Sequence, residues 1–319
     1  MKKLCMILFC CIFCLNLAAC GGTTTTPTAS PEPVVSASPE NVPTEDQFVF
    51  TRENFPRLDG STSLVPLAEA VAAVLLGESR EEASDLISFN RTTQSYRNLM
   101  WDSCDLIIAA TPADTIYDEY ALHRFEYDMA RIASDALVFV VSADNPVDSL
   151  TVDQIQRIYT GEITNWSEVG GNDVEIIPFQ RNSEAGSQTA MLRLVMDGLE
   201  IMDPPSEYII ESMAGLMEAV RNFDGSEGAI GYSVYYYAND MRMAEGLKIL
   251  SVEGVQPEPS TIADQSYPFL AAYYTVIAAS QPEDSPARIL YNWLQSEEGQ
   301  RLIESQSYVP VMTFGEASS

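Results

Sequence analysis

The chain has 319 residues, and its 17 lysine and arginine residues against 46 aspartate and glutamate residues give a formal net charge of −29. This charge argues against nucleic acid as a partner, and its field repels small anions at long range. An anion-binding site in this chain would therefore depend on donors at short range, each contributing about 1.5–3 kcal/mol when the hydrogen bond is charge-assisted.

The N-terminus has the layout of an export signal. Two lysines after Met1 are followed by an apolar run over residues 4–17, which is short for a membrane span. The run ends in Leu17-Ala18-Ala19-Cys20, which resembles a bacterial lipobox. We therefore predict a lipoprotein signal peptide over residues 1–19 and a lipid on Cys20 that anchors the protein outside the cytoplasm, at the bacterial cell membrane. The alternative is a plain signal peptide with an incidental cysteine.

The segment after the signal is predicted to be a tether. Residues 20–45 are rich in threonine, serine and proline and contain no aromatic residue, so we expect this linker to be disordered. Four of the six cysteines lie inside the signal peptide and Cys20 would carry lipid, which leaves Cys104 alone. We therefore expect no intramolecular disulfide and no cysteine metal cluster.

From about residue 48 onward, short apolar strands alternate with helical patterns, which is typical of an α/β fold with mainly parallel sheets. The predicted strands are Leu106–Ala110, Ala136–Ser142, Val174–Phe179, Gly228–Tyr232 and Ala271–Ala278. The predicted helices are Ser63–Leu76, Ser95–Trp101, Thr151–Tyr159, Ser187–Met196, Met213–Asn222 and Ser285–Leu294. About 270 ordered residues favour a molecule of two lobes.

Three of these helices begin with hydroxyl-bearing residues. Ser187 and Thr189 open one helix, and Arg181 lies just upstream of it. Free N–H groups and the positive end of the helix dipole make such a start an anion site, and an arginine adds a planar fork for a tetrahedral oxyanion. The other two starts are Ser61-Thr62-Ser63 and Thr92-Thr93-Gln94-Ser95. Each is alternatively an ordinary helix cap, with Arg181 in solvent, but three together suggest convergence on one anion.

Eleven different short motifs are distributed along the chain from about Asp59 to Pro310. They are Asp59–Leu67, Asp105–Pro112, Leu150–Ile155, Ile158–Trp166, Gly170-Gly171, Phe179–Arg181, Gly186–Thr189, Gly228–Ser233, Tyr267-Pro268, Glu298–Gln300 and Tyr308–Pro310. Several are weak signals singly, whereas their order is specific. In this order they resemble the phosphate-binding lipoproteins of Pst-type ABC importers.

The resemblance implies a two-lobed periplasmic-binding-protein fold of type II with two hinge crossovers. Lobe 1 would comprise residues 46–144 and 266–319, and lobe 2 residues 145–265. It further implies that the protein captures inorganic phosphate in the interlobe cleft, without a cofactor or metal, and delivers it to the permease subunits of the importer. We expect a monomer. The implied ligand-binding residues are Thr62, Ser63, Thr93, Arg181, Ser187, Gln188 and Thr189, while Trp166 and Tyr159 are expected in the core.

Two departures from the family pattern affect the expected selectivity. Well-known members carry an aspartate in the segment matching Ala109-Ala110-Thr111, and its carboxylate accepts the proton of hydrogen phosphate and repels sulfate. This chain has no acid there before Asp114. Asp59 could supply the carboxylate, although a turn or cap role suits it better; otherwise we expect weaker discrimination against sulfate. The second departure is a longer segment after Arg181, in which Glu184 is expected to pair with that arginine.

The sequence leaves other functions open. The single histidine, His123, has no partner motif, and the chain contains no GxSxG sequence or metal-ligand spacing. We therefore predict no catalytic residue and no enzymatic activity, although a phosphate-ester hydrolase remains a remote alternative. Binding or sensing of another oxyanion, or a signalling or adhesion lipoprotein that has lost its ligand, would also be compatible with the missing acid.

Overall fold

The computed structural model describes residues 48–223 and 226–312. The predicted signal peptide, Cys20 and the linker therefore lie outside the described residues. The strands in chain order are β1 (Leu58–Gly60), β2 (Leu106–Ala110), β3 (Tyr127–Ser142), β4 (Ser149–Leu150), β5 (Ile177–Pro178), β6 (Gln180–Arg181), β7 (Ile209–Ile210), β8 (Ala229–Val234), β9 (Leu247–Ile249), β10 (Ser251–Val252), β11 (Leu270–Ala278) and β12 (Val309–Pro310).

The α-helices are α1 (Val65–Leu76), α2 (Arg80–Ala83), α3 (Thr92–Met100), α4 (Asp114–His123), α5 (Val152–Tyr159), α6 (Gly186–Ala190), α7 (Met213–Asn222), α8 (Tyr235–Asn239), α9 (Pro259–Ala263), α10 (Pro286–Gln295) and α11 (Glu297–Ser305). A 3₁₀ turn, Thr62–Leu64, leads into α1, and α6 continues as a π-helical segment, Met191–Met196. Within the described residues no single helix is long and apolar enough to cross a membrane; one pair bent by 109°, Thr62–Leu76 with Arg80–Leu86, meets the criterion by length and composition only.

Local sequence chemistry fixes several helix ends. The Ser212 side chain accepts a hydrogen bond from the Gly215 N–H at 3.0 Å and begins α7, as an N-cap serine does. Thr151 and Gln154 form a reciprocal capping box at the start of α5. Gly77 ends α1 in the left-handed conformation, with φ of 67°, which glycine adopts at little cost.

One long strand organises the main sheet, whose central order is β1-β2-β11-β3-β8-β5. The first half of β3 pairs with β11, and its second half pairs with β8 from Leu137 opposite Val234 onward. Both pairings are antiparallel, as are β2–β11 and the additional contacts of β9 and β12 with β3. The expectation of mainly parallel sheets is therefore wrong for this sheet: β11 brings the chain back alongside β3 in the opposite direction.

The described residues form three hydrophobic cores; the two larger ones lie along β3, and the smallest packs α3 and α4 against β2. Of the two along β3, the larger core takes its buried residues from between Ala136 and Phe269. The other takes them from between Phe50 and Ala133, from Tyr236, and from between Tyr273 and Tyr308. Trp166 and Tyr159 are fully buried in the larger core, as predicted. The fold is thus mixed α/β with two lobes, while the lobe boundaries stated above stay a prediction.

Candidate functional site

A small pocket of about 30 Å³, lined by both polar and apolar side chains, lies where the two halves of the molecule meet. This volume has room for about two water molecules or one compact ion. The lining residues come from both halves: Ser61, Thr62, Ser63, Arg91, Thr92, Ala110, Arg181, Ala185, Gly186, Ser187, Met213, Val234 and Tyr273. Four of the predicted site residues, Thr62, Ser63, Arg181 and Ser187, are among them.

The first wall of the pocket is set by the parallel pairing of β1 with β2. Gly60 lies opposite Ile108 in that pair, and a Cβ at Gly60 would lie 1.9 Å from the Ile108 carbonyl oxygen, so only glycine fits this approach. The chain then turns at Ser61, whose Oγ accepts a hydrogen bond from the Ala110 N–H at 2.9 Å and lies 2.8 Å from Thr92 Oγ1. The hydroxyls at the start of α1 and of α3 are thereby held together.

Arg181 forms the opposite wall and is 6% exposed. Its Nε donates to the Ile210 carbonyl at 3.0 Å, its Nη2 to the Glu211 carbonyl at 3.1 Å, and its Nη1 to Ser187 Oγ at 3.2 Å. These partners orient the guanidinium without neutralising it. Burial lowers the pKa of Arg181 from its ordinary value, because desolvation penalises the charged form.

Arg181 has no carboxylate within salt-bridge distance among the described residues. The expected pairing with Glu184 is wrong: Glu184 accepts instead from Arg97 Nη1 at 2.6 Å. Glu184 does not pair with Arg181 because backbone carbonyls of β7 and of the residue after it already accept from the Nε and Nη2 side of the Arg181 guanidinium. The pocket therefore contains a buried cation that lacks an anionic partner in the described part of the chain.

The start of α6 provides backbone donors beside this cation. Ala185, the N-cap residue, offers no side-chain cap, and the first backbone bond is made by the Thr189 N–H to the Ala185 carbonyl at 3.0 Å. The N–H groups of Gly186, Ser187 and Gln188 precede that bond, and such groups have no partner within the helix. An anion at this point would meet both the N–H groups and the helix dipole.

The side chains of three predicted site residues lie away from the pocket lining. Gln188 Oε1 accepts from the Arg181 N–H at 3.1 Å and from the Tyr232 hydroxyl. Thr189 lines a neighbouring cavity, and its Oγ1 is buried without a hydrogen-bond partner in the described structure. Thr93 is fully buried, and its Oγ1 accepts from the Ala113 N–H at 3.4 Å.

Nine of the thirteen lining residues were not predicted from the sequence, and four of these nine carry polar side chains: Ser61, Arg91, Thr92 and Tyr273. Ser61 and Thr92 belong to the motifs already singled out, and an arginine next to a hydroxyl-rich helix start could have pointed to Arg91. Its guanidinium is more than half exposed and lies 3.7 Å from Glu211 Oε2. Tyr273 had no local signal, since it lies in the middle of an ordinary apolar strand.

Two buried carboxylates lie near the pocket and differ in role. Asp59 accepts hydrogen bonds from the N–H groups of Gly60 and Asn90 and from the side-chain amides of Asn90 and Asn98, at 2.6–2.9 Å. Asp59 is not a lining residue and serves as a turn anchor. Asp135 accepts from the Tyr273 hydroxyl at 2.5 Å, and that hydroxyl lies 3.2 Å from Ser63 Oγ.

Comparison with known proteins identifies the family. Residues 43–298 match the model of the PBP superfamily domain, so the chain belongs to the PBP superfamily. The phosphate-binding protein PstS of Bacillus subtilis is 28% identical over 182 residues, which cover 57% of each chain. PstS of Borreliella burgdorferi is 26% identical over 185 residues, which cover 57% of this chain and 65% of the relative. The matched region thus spans less than two thirds of these relatives.

Solved structures agree on the fold. The structure of a phosphate ABC transporter substrate-binding protein with bound phosphate from Clostridium perfringens superposes with a TM-score of 0.61 at 24% identity, covering 80% of this chain and 98% of that one. An ABC-type phosphate transport receptor from Vibrio cholerae gives a TM-score of 0.58 at 21% identity, covering 79% and 98%. At these identities the likeness establishes the shared fold.

Proposed function

We propose that this protein is an extracytoplasmic lipoprotein that captures inorganic phosphate in the pocket between its lobes and delivers it to an ABC importer. The role is binding and transport, without catalysis. The names of the PstS relatives support the ligand, and the donors on both pocket walls suit a tetrahedral oxyanion. The export signal and the lipobox-like Leu17-Ala18-Ala19-Cys20 support the location and the membrane anchor.

The observation that carries this proposal is the buried Arg181. Taking a guanidinium out of water costs several kcal/mol, and carbonyl and hydroxyl partners recover only part of that cost. A bound phosphate would neutralise the charge and accept charge-assisted hydrogen bonds of about 1.5–3 kcal/mol each. Such bonds can exceed the cost of immobilising a small ion and overcome the repulsion from the acidic surface.

Capture by closure follows from where the donors lie. Thr62 and Ser63 belong to the proposed lobe 1 (residues 46–144 and 266–319), and Arg181 and Ser187 to lobe 2 (residues 145–265). A ligand that needs donors from both walls binds the closed arrangement more tightly than an open one and so shifts the population toward closure. A closed monomer with phosphate inside is the form proposed to engage the permease subunits.

Calorimetry tests the proposal directly. The purified chain is stripped of bound ligand and titrated with phosphate, arsenate, sulfate and molybdate. We expect binding of phosphate in the micromolar range or tighter, about −8 kcal/mol or better, with arsenate as a competitor. A flat isotherm with all four anions would overturn phosphate capture and favour a scaffold without a ligand, whereas tighter binding of molybdate or sulfate would assign another oxyanion.

A further inference from the structure

Three side chains form a continuous hydrogen-bonded series from the pocket wall to the strand that joins the two larger cores. Ser63 and Tyr273 line the pocket, and Asp135 lies behind them on β3. The distances are 3.2 Å from Ser63 Oγ to Tyr273 Oη and 2.5 Å from Tyr273 Oη to Asp135 Oδ2. All three side chains are at most 4% exposed. The pocket is thus connected to the buried Asp135 carboxylate through the hydroxyls of Ser63 and Tyr273.

The direction of these bonds can be derived from the number of protons. An ionised carboxylate only accepts, so Tyr273 must use its single hydroxyl proton toward Asp135. Tyr273 Oη can then only accept from Ser63, which makes Ser63 the donor in the 3.2 Å contact. With its one proton committed in this way, Ser63 Oγ has only lone pairs to offer to the pocket.

We propose that Asp135, acting through Tyr273 and Ser63, makes the pocket select an oxyanion that carries a proton. Hydrogen phosphate has an O–H that can donate to Ser63 Oγ, whereas sulfate presents a bare oxygen to the same lone pairs. The inference rests on the proposed function, since it concerns which oxyanion the pocket accepts. Asp135 is a positioning residue: it does not line the pocket but fixes where the hydroxyl protons lie.

The groups around Asp135 determine the pKa of its carboxyl. Besides Tyr273 on β11, its oxygens accept from the N–H groups of Ala136 at 2.7 Å and Tyr236 at 3.2 Å. Burial raises the pKa of Asp135 to about 6, against the opposing effect of these hydrogen bonds, and Asp240 raises it slightly further. Among the described residues, the other titratable groups that interact with it are the hydroxyls of Tyr235, Tyr236 and Tyr308.

Protonation of Asp135 would reverse the donor and acceptor roles in both hydrogen bonds of this series. A protonated Oδ2 can donate to Tyr273 Oη, Tyr273 can then donate to Ser63, and the Ser63 proton becomes free to point at the ligand. Ser63 would then act as a donor that serves sulfate as well as phosphate. Selectivity is therefore expected at neutral pH and lost as the pH falls through about 6.

The substitution Asp135→Asn imitates the protonated state. Its amide nitrogen can donate to Tyr273 Oη, while its oxygen can keep the N–H partners. At pH 7.5 we expect the ratio of sulfate to phosphate affinity to rise about tenfold to hundredfold, the equivalent of relieving one unpaired acceptor. Tyr273→Phe, which breaks the series but keeps the carboxylate, should raise the same ratio. Asp240→Asn, an exposed neighbour that removes one negative charge without a bond in the series, should leave the ratio unchanged.

The experiment is calorimetry of the wild-type chain and the three variants with phosphate and with sulfate, and of wild type and Asp135→Asn with sulfate from pH 7.5 to 5. Sulfate binding by the wild type should strengthen as the pH falls, and that of Asp135→Asn should stay level. If the wild type binds phosphate while Asp135→Asn and Tyr273→Phe both leave the ratio of sulfate to phosphate affinity unchanged, this inference is overturned and phosphate capture stays intact. If Asp135→Asn does not fold, Tyr273→Phe and the wild-type sulfate profile decide the question. Wild-type protein that binds neither anion would overturn both.

Discussion

Gly186 and Thr92 lie close together at the pocket: a Cβ at Gly186 would lie 2.5 Å from Thr92 Oγ1. Gly186 opens α6 and Thr92 opens α3, so the two helix starts approach each other closely at this point. The absence of a side chain at Gly186 would allow the donors of both walls to reach one small ion, as the proposed function requires.

The first prediction follows from that contact. Gly186→Ala should hold the helix starts apart by a few tenths of an ångström or more and reduce phosphate affinity at least tenfold, because donor geometry is lost on one wall. Thr92→Ala removes the obstructing hydroxyl, so the loss caused by Gly186→Ala should be smaller in a Thr92→Ala background. A double-mutant cycle by calorimetry measures this coupling; additive losses would contradict it.

The second prediction concerns the buried cation. Arg181→Ala should reduce phosphate affinity a hundredfold or more, because the buried positive charge and its charge-assisted hydrogen bonding to the ligand are lost. Arg221 is a matched control, since its Nε and Nη2 also donate to backbone carbonyls, those of Glu245 and Met243, at 2.9 and 2.6 Å. Arg221→Ala should therefore affect thermal stability without changing phosphate affinity. Equal phosphate affinities for Arg181→Ala and wild type would rule out the site.

The third prediction separates the two buried carboxylates. The Asp59 carboxylate accepts four hydrogen bonds. Asp59→Asn replaces it with an amide whose own N–H groups would face some of these donors. The free energy of unfolding should fall by about 3 kcal/mol. The ratio of sulfate to phosphate affinity should stay at the wild-type value, since Asp59 is not a lining residue. Denaturant unfolding and calorimetry measure the two quantities; a changed ratio would return Asp59 to the site.

The fourth prediction is a pH dependence of stability. The pKa of Asp135 is raised to about 6 in the folded protein, so between about pH 4 and 6 the folded state binds more protons than the unfolded state. Stability from this group is therefore lost as the pH rises through that window. Asp135→Asn lacks the effect, so its free energy of unfolding relative to wild type should rise by about 2–3 kcal/mol from pH 4 to pH 7. Parallel urea midpoints for the two proteins across this range would refute the raised pKa.

The sequence predicts elements best where local chemistry decides them. Met213–Asn222 is reproduced in full because Ser212 caps it, and Leu106–Ala110 because a short buried run has no competing helix pattern. Val174–Phe179 is reduced to Ile177–Pro178, because the Ile176 N–H bonds the Thr164 carbonyl of a nearby loop. Such a long-range competitor leaves no trace in the periodicity of the segment itself.

The site shows the same division. The sequence identifies the hydroxyl-rich helix starts and Arg181, yet it cannot say which of Thr92 and Thr93 faces the pocket, since neighbouring residues on a helix point about 100° apart. The pairing of Tyr273 with Asp135 joins residues 138 positions apart. That relationship depends on the antiparallel register of β3 and β11 and is accessible only from the fold. The selectivity inferred from it differs from the expectation of weak selectivity, which considered only Ala109-Ala110-Thr111 and Asp59 and stays a prediction.

The 16-residue strand β3 has a consequence for the architecture as a whole. Its first half completes the sheet under one core and its second half completes the sheet under the other. Neither half of the molecule can be excised with all of its own backbone partners. We therefore expect the two lobes to depend on each other for stability, so that loss of one half weakens the sheet of the other.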